Sequence, residues 1–266
     1  MRKVLLLAIV FAVCLWSSVS YAASIGNKIE PIGNMKFAVT AEGNFVIDRD
    51  IKTGGSSTSG STITSFEFSK VNQEYAKLML GVTDYVNIYA KLGSSKIGEA
   101  KLKFSSGEDV KVESDNNFLY GGGFNAVYKL GKESKYFVGL NGDFSFYRVN
   151  TDKLDITGTS VSNVSGKIKN IECQLGGYAG MRMDINDNVA FVPYAGVFWN
   201  RFNTKTGGIK YTASGTEYTL TYDNDADDEV GVGVGADVEL FKNFTLNAEG
   251  RFLAGNAISF GGTYKF

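Results

Sequence analysis

The sequence has no histidine in 266 residues, only two prolines and two cysteines, and no large surplus of either charge. Each shortage excludes something. Without histidine, the side chain best poised to move protons near neutral pH is missing. The cysteines are Cys14 and Cys173. Once a leader containing Cys14 is removed, the remaining thiol has no internal partner for a disulfide. Removing Arg2 and Lys3 with that leader leaves 25 basic residues against 28 acidic ones, a balance that excludes nucleic acid as a partner. Long apolar runs are missing as well. None of about 18 residues or more follows the leader, so no helical span is expected.

The first residues set the compartment. Arg2 and Lys3 precede the apolar stretch Val4 to Leu15, and small residues stand at Ser20 and Ala22. This is the layout of a secretory signal peptide, cleaved after Ala22 or one residue later. Cys14 lies within the apolar stretch and follows Val13, where lipid attachment needs a small residue, which argues against a lipoprotein anchor. Residues 1–22 are read as the signal peptide and 23–266 as a single domain.

Glycine and aromatic residues are plentiful, and alternation with period two runs through the whole domain. In the last segment Ile258, Phe260, Gly262, Tyr264 and Phe266 lie on one face, with Ala257, Ser259, Gly261, Thr263 and Lys265 on the other. Nine further segments behave alike. They begin near Met35, Tyr75, Val86, Phe118, Tyr136, Glu172, Val189, Val230 and Phe244. The segment Val189 to Asn200 is apolar on both faces, which leaves its orientation open. Short turns at 83–84, 131–135, 186–188 and 242–243 alternate with long polar stretches at 50–65, 93–116, 150–167 and 202–227. The connection 254–256 is short where the alternation predicts a long one. Within the long stretches, 101–104 with 110–113 and 209–212 with 217–221 read as hairpins continuing beyond the membrane.

Short turns on one side, long loops on the other and strands of nine to eleven residues describe a transmembrane barrel. Periodicity alone does not separate it from a soluble barrel. Three features do: glycine crowds the polar face, aromatics cluster near segment ends, and the chain stops on Phe266. The expected fold is all-β, an antiparallel up-and-down transmembrane barrel of ten strands, with eight or twelve if one pair of segments is miscounted.

The ending Phe260-Gly261-Gly262-Thr263-Tyr264-Lys265-Phe266 resembles the C-terminal strand of outer-membrane barrels. Phe191 to Val197 is similar to a strand of small opacity-type and porin-like outer-membrane barrel families. The resemblance implies an outer-membrane location with periplasmic termini. It also implies contact with membrane lipid and lipopolysaccharide, and an assembly signal at Phe260, Tyr264 and Phe266 read by the barrel assembly machinery. Fold analogy implies little about activity. Barrel enzymes of that membrane would require a histidine, which is absent here.

Of the chemistry-bearing residues, Lys36, Glu42, Lys91, Lys129, Asp143, Glu172, Arg182, Asp237, Glu239, Glu249 and Arg251 are expected to face the lumen as a charge network. A carboxylate-only hydrolase using Asp237, Glu239 or Glu249 is the chemical alternative; a structural ion-pair network explains the same residues more simply. Asp223, Asp225, Asp227, Asp228 and Glu229 start like a calcium loop, but Asp228 stands where the tight-turn glycine belongs. The serine- and glycine-rich run Thr53 to Ser61 has no phosphate-cradling lysine. No cofactor or metal is expected. The reading is a non-enzymatic surface barrel acting through four long loops, the alternative a narrow passive pore, and bulky inward candidates Tyr75, Tyr89, Tyr178 and Arg182 favour a closed lumen.

Overall fold

The computed structural model describes residues 31–266, apart from 52–55, 58–62, 132–133 and 224–226. The expected signal peptide and most of the run Thr53 to Ser61 lie outside the described residues. Ten long strands form the wall: β1 (Phe37–Ile51), β2 (Ile63–Gly81), β3 (Val86–Phe104), β4 (Asn117–Lys129), β5 (Tyr136–Ile156), β6 (Lys167–Met181), β7 (Val189–Thr206), β8 (Asp227–Leu240), β9 (Phe244–Phe252) and β10 (Asn256–Lys265). Each pairs antiparallel with the next, and β10 pairs back onto β1 through Thr40↔Thr263 and Phe45↔Ile258, which closes the ring. Among the described residues closure leaves the ring itself no open edge, the condition for a sheet to exist in lipid.

The wall is inside out by the standard of a soluble protein. Lys77 and Lys91 are 1% exposed, while Leu78 and Leu92 beside them are 59% and 58% exposed. On β5 the outward row Tyr136, Val138, Leu140 and Phe144 is exposed, and Asn141, Asp143 and Ser145 are buried. Residues 136 to 146 cover about 33 Å along the strand, or about 25 Å at a tilt near 40°, the height of a hydrocarbon-facing band. The doubtful seventh segment resolves the same way. Ala190, Val192, Tyr194 and Phe198 turn inward, leaving Ala195, Val197 and Trp199 outside.

Above this band the strands continue where loops were expected. β5 has 21 residues, and β2 and β3 have 19 each. Here the faces exchange character. Phe66, Phe68, Ile97, Leu102, Tyr147, Val149, Phe202 and Tyr222 form a buried apolar core, and charged residues face out. In β1, β2 and β3 the parity changes at register shifts, Val46/Asp48 and Phe68/Val71 opposite Ile97/Glu99, whereas in β5 Tyr147 and Val149 keep the inward parity of Asp143 and the shift comes only beside Thr151/Lys153. One extra residue in a bulge flips the parity of everything beyond it.

The two expected hairpins are present: Ala100–Lys103 pairs with Asp109–Val112, and Ile209–Ala213 with Thr216–Thr221. The second belongs to a small four-stranded sheet with Val161–Ser165 and Ser56–Ser57. Its Ile209 and Leu220 join the apolar core. Opposite, β9 and β10 are joined by only 253–255, with Leu253 and Gly255 both at positive φ.

Candidate functional site

Chemistry-bearing side chains converge in the charged interior. At the short-turn end Arg182 bonds Asp184 at 2.7 Å and Glu239 at 2.6 Å. Deeper, the Tyr178 hydroxyl donates to Asn125 at 2.5 Å. Tyr194 donates to Glu249 at 2.9 Å, and Asn247 donates to Tyr194 at 2.9 Å and to Asp237 at 2.5 Å.

At mid-height Lys77 meets Glu42 at 2.7 Å, and the Tyr75 hydroxyl donates to the same carboxylate at 2.7 Å. Lys91 meets Asp143 at 2.5 Å, joined by Tyr89 at 2.7 Å. The ammonium groups also lie over aromatic rings: Lys77 at 4.8 Å from the Tyr89 ring, Lys91 at 4.9 Å from Tyr75. Such stacking supplies part of what each buried cation loses on leaving water.

Toward the far end the bonds become struts across the lumen. Arg251 of β9 donates to Gln174 of β6 at 2.7 Å. Arg49 of β1 bonds Glu172 of β6 at 3.2 Å, from the opposite side of the ring. Asn200 adds a bond to Glu172 at 3.0 Å, and Arg49 sits over the Phe202 ring at 5.0 Å. The apolar core closes the space beyond.

Of the residues expected in this network, Glu42, Lys91, Asp143, Glu172, Asp237, Glu239, Glu249 and Arg251 are buried inside, and Arg182 caps its turn end. Lys36 and Lys129 are a correction. Both are exposed at the rim, Lys36 just before β1 and Lys129 as the last residue of β4, where the lumen opens. Sequence reasoning missed Arg49, which lies beyond a bulge and just short of the expected loop 50–65, and did not count Lys77, which shares the inward face of Tyr75. The carboxylates considered for hydrolysis are distributed among separate partners: Glu239 on Arg182, Glu249 on Tyr194, Asp237 on Asn247.

Two members of the acidic run can be placed, and each has its own cation. Asp223 bonds Lys205 at 3.0 Å, and Glu229 lies 3.8 Å from Arg49. Asp225 and the side chains of Asp227 and Asp228 lie outside what is described. A different cluster does form: the carboxylates of Asp48, Asp50 and Glu67 lie within 4.8 Å of one another, just above the band. Phe260, Tyr264 and Phe266 share the outward face of β10, with the last two rings 5.1 Å apart. Cys173 is half-buried on the outward face of β6.

No family model matches the chain, and no curated protein matches it in sequence. The opacity-type or porin-like label therefore stays a resemblance. Among solved structures, the translocator domain of the autotransporter NalP from Neisseria meningitidis is similar at 11% identity, covering 91% of each chain with a TM-score of 0.45. The outer membrane protease OmpT from Escherichia coli is similar at 9% identity, covering 88% of this chain and 94% of its own, also with a TM-score of 0.45. The COG4313 outer membrane channel from Pseudomonas putida F1 follows at 12% identity, 92% and 100% coverage and a TM-score of 0.37. These likenesses are distant. The barrel stands on its own strand pairing.

Proposed function

We propose that this chain is a non-enzymatic integral outer-membrane barrel with a plugged lumen, acting through the surface that its long strands and loops raise above the lipid. The observation that carries the reading is the inversion of faces: an exposed apolar band of bilayer height around a buried charged interior. In water such a wall would expose hundreds of Å² of apolar surface, far beyond an ordinary monomer. In this reading the short turns and both ends of the barrel domain face the periplasm. Lipid and lipopolysaccharide surround the wall, and the assembly machinery reads Phe260, Tyr264 and Phe266. Nucleic acid is not a partner.

The struts Arg49–Glu172 and Arg251–Gln174 argue for a structural or surface-interaction role and against a passive pore. A planar bilayer tests this. Refolded protein that shifts on detergent gels upon boiling, and so is folded, is expected to stay electrically silent. Discrete conductance steps that change with Arg251→Gln would overturn the plug and establish the narrow pore.

A further inference from the structure

On the outer wall, just above the apolar band, strand pairing sets basic residues side by side. Arg148 of β5 lies opposite Lys169 of β6, and Lys169 lies opposite Lys205 of β7. One row further, Lys167 faces Asn150. All four basic residues are exposed, on the same face as Phe144, Ile171 and Trp199 of the band beneath. Directly opposed side chains have Cβ atoms about 5 Å apart, where like charges repel.

Elsewhere at this height the signs alternate. Lys101 meets Glu99 at 3.3 Å and Glu67 at 3.7 Å, and Lys153 meets Asp155 at 3.0 Å and Glu113 at 3.6 Å. On the β5–β7 wall they do not. Lys205 is held by Asp223, but among the described residues no carboxylate pairs with Arg148, Lys167 or Lys169. The chain as a whole is slightly acidic, so this row is a local concentration and not a general basicity.

A row of unneutralised cations directly over an aromatic and aliphatic belt matches one ligand chemistry, an anionic headgroup attached to hydrocarbon tails. We infer that Arg148, Lys167 and Lys169, with Lys205, bind the phosphate groups of a phosphorylated outer-leaflet lipid whose acyl chains lie along Phe144, Ile171 and Trp199. Guanidinium and ammonium donors suit phosphate oxygens, the arginine through two parallel bonds. The inference rests on the membrane-barrel reading, with the long-loop end outward.

The test uses the mature full chain folded in detergent micelles, with retained lipid measured by native mass spectrometry. The probes are diphosphorylated lipid A, its dephosphorylated form, and soluble glucosamine phosphate. The wild-type chain should retain the diphosphorylated lipid and lose it as salt rises. The triple variant R148Q/K167Q/K169Q should bind it at least tenfold more weakly, and K101Q/K111Q as well as wild type. Equal retention of the dephosphorylated lipid, an unaffected triple variant, or equally tight binding of glucosamine phosphate would each overturn the assignment. Gel shifts on boiling, run on the same samples, separate this outcome from failure of the barrel reading. A chain that never folds into micelles removes both. If the triple variant alone misfolds, R148Q and K169Q singly should each weaken retention, and no weakening in either counts against the site.

Discussion

At the residue scale the interior is held by pairs whose members depend on each other. Lys91 and Asp143 are both buried, so removing one leaves the other without its counter-charge. Lys91→Met should destabilise the barrel by about 3–5 kcal/mol, whereas Lys91→Met with Asp143→Leu should recover most of the loss. Urea unfolding in lipid vesicles, analysed as a double-mutant cycle, measures both. A second residue-scale expectation concerns Asp48, above the band. Partial burial, then Glu67 and Asp50, hold its carboxyl above the ordinary aspartate value, with Lys101 opposing. A raised folded pKa means the fold favours the protonated form, so stability is lost as pH rises through it. Asp48→Asn should therefore stabilise the protein at neutral pH. That advantage should vanish below the ordinary carboxylate range, and a variant equally stabilising at pH 3 and pH 7 would contradict it.

At the element scale β1, β2 and β3 carry two opposite burial rules joined by a bulge, and this decides how much could be read from the chain alone. The ten segments, and the inward faces of all but Val189 to Asn200, were legible because period-two alternation is unbroken within the band, as in Lys77 to Leu80 or Phe244 to Phe252. The upper halves were not. Beyond the bulge near Ser69 the parity shifts by one and the apolar residues move inside, so Phe66 and Phe68 fell between the expected loop 50–65 and the segment beginning near Tyr75. Arg49 was lost for the same reason. The two rules predict different mutational costs along one strand. Leu140→Lys, on the outward face within the band of β5, should cost about 2–4 kcal/mol, and Asn150→Lys above it only the ~0.2–1 kcal/mol of a like charge set opposite Lys167. A ring crosses one glycine closely: a Cβ at Gly139 would come within 2.1 Å of the Tyr178 ring. Gly139→Val must displace that ring and break its bond to Asn125, at a cost of about 1–3 kcal/mol. Loss of heat modifiability or a lowered urea midpoint reports it.

At the scale of the whole molecule two seals lie in series, the polar struts within the membrane and the apolar core above them. The small sheet containing Ile209–Ala213 covers only the second. Replacing 209–221 with a short glycine–serine linker should therefore expose Phe66, Phe202 and Tyr222 to a hydrophobic dye, while the bilayer current stays at zero. Current on removal of the hairpin would show that the struts do not close the lumen by themselves.

The height of the wall also differs around the ring, with 18 to 21 residues in β2, β3, β5 and β7 against nine and ten in β9 and β10. With the long end outward, the cell surface presents a half-collar. An antibody or protease arriving from outside meets residues between 63 and 221 and almost nothing after 227. The last strands are left to close the ring, and the tall side is free to diverge in sequence without disturbing that closure.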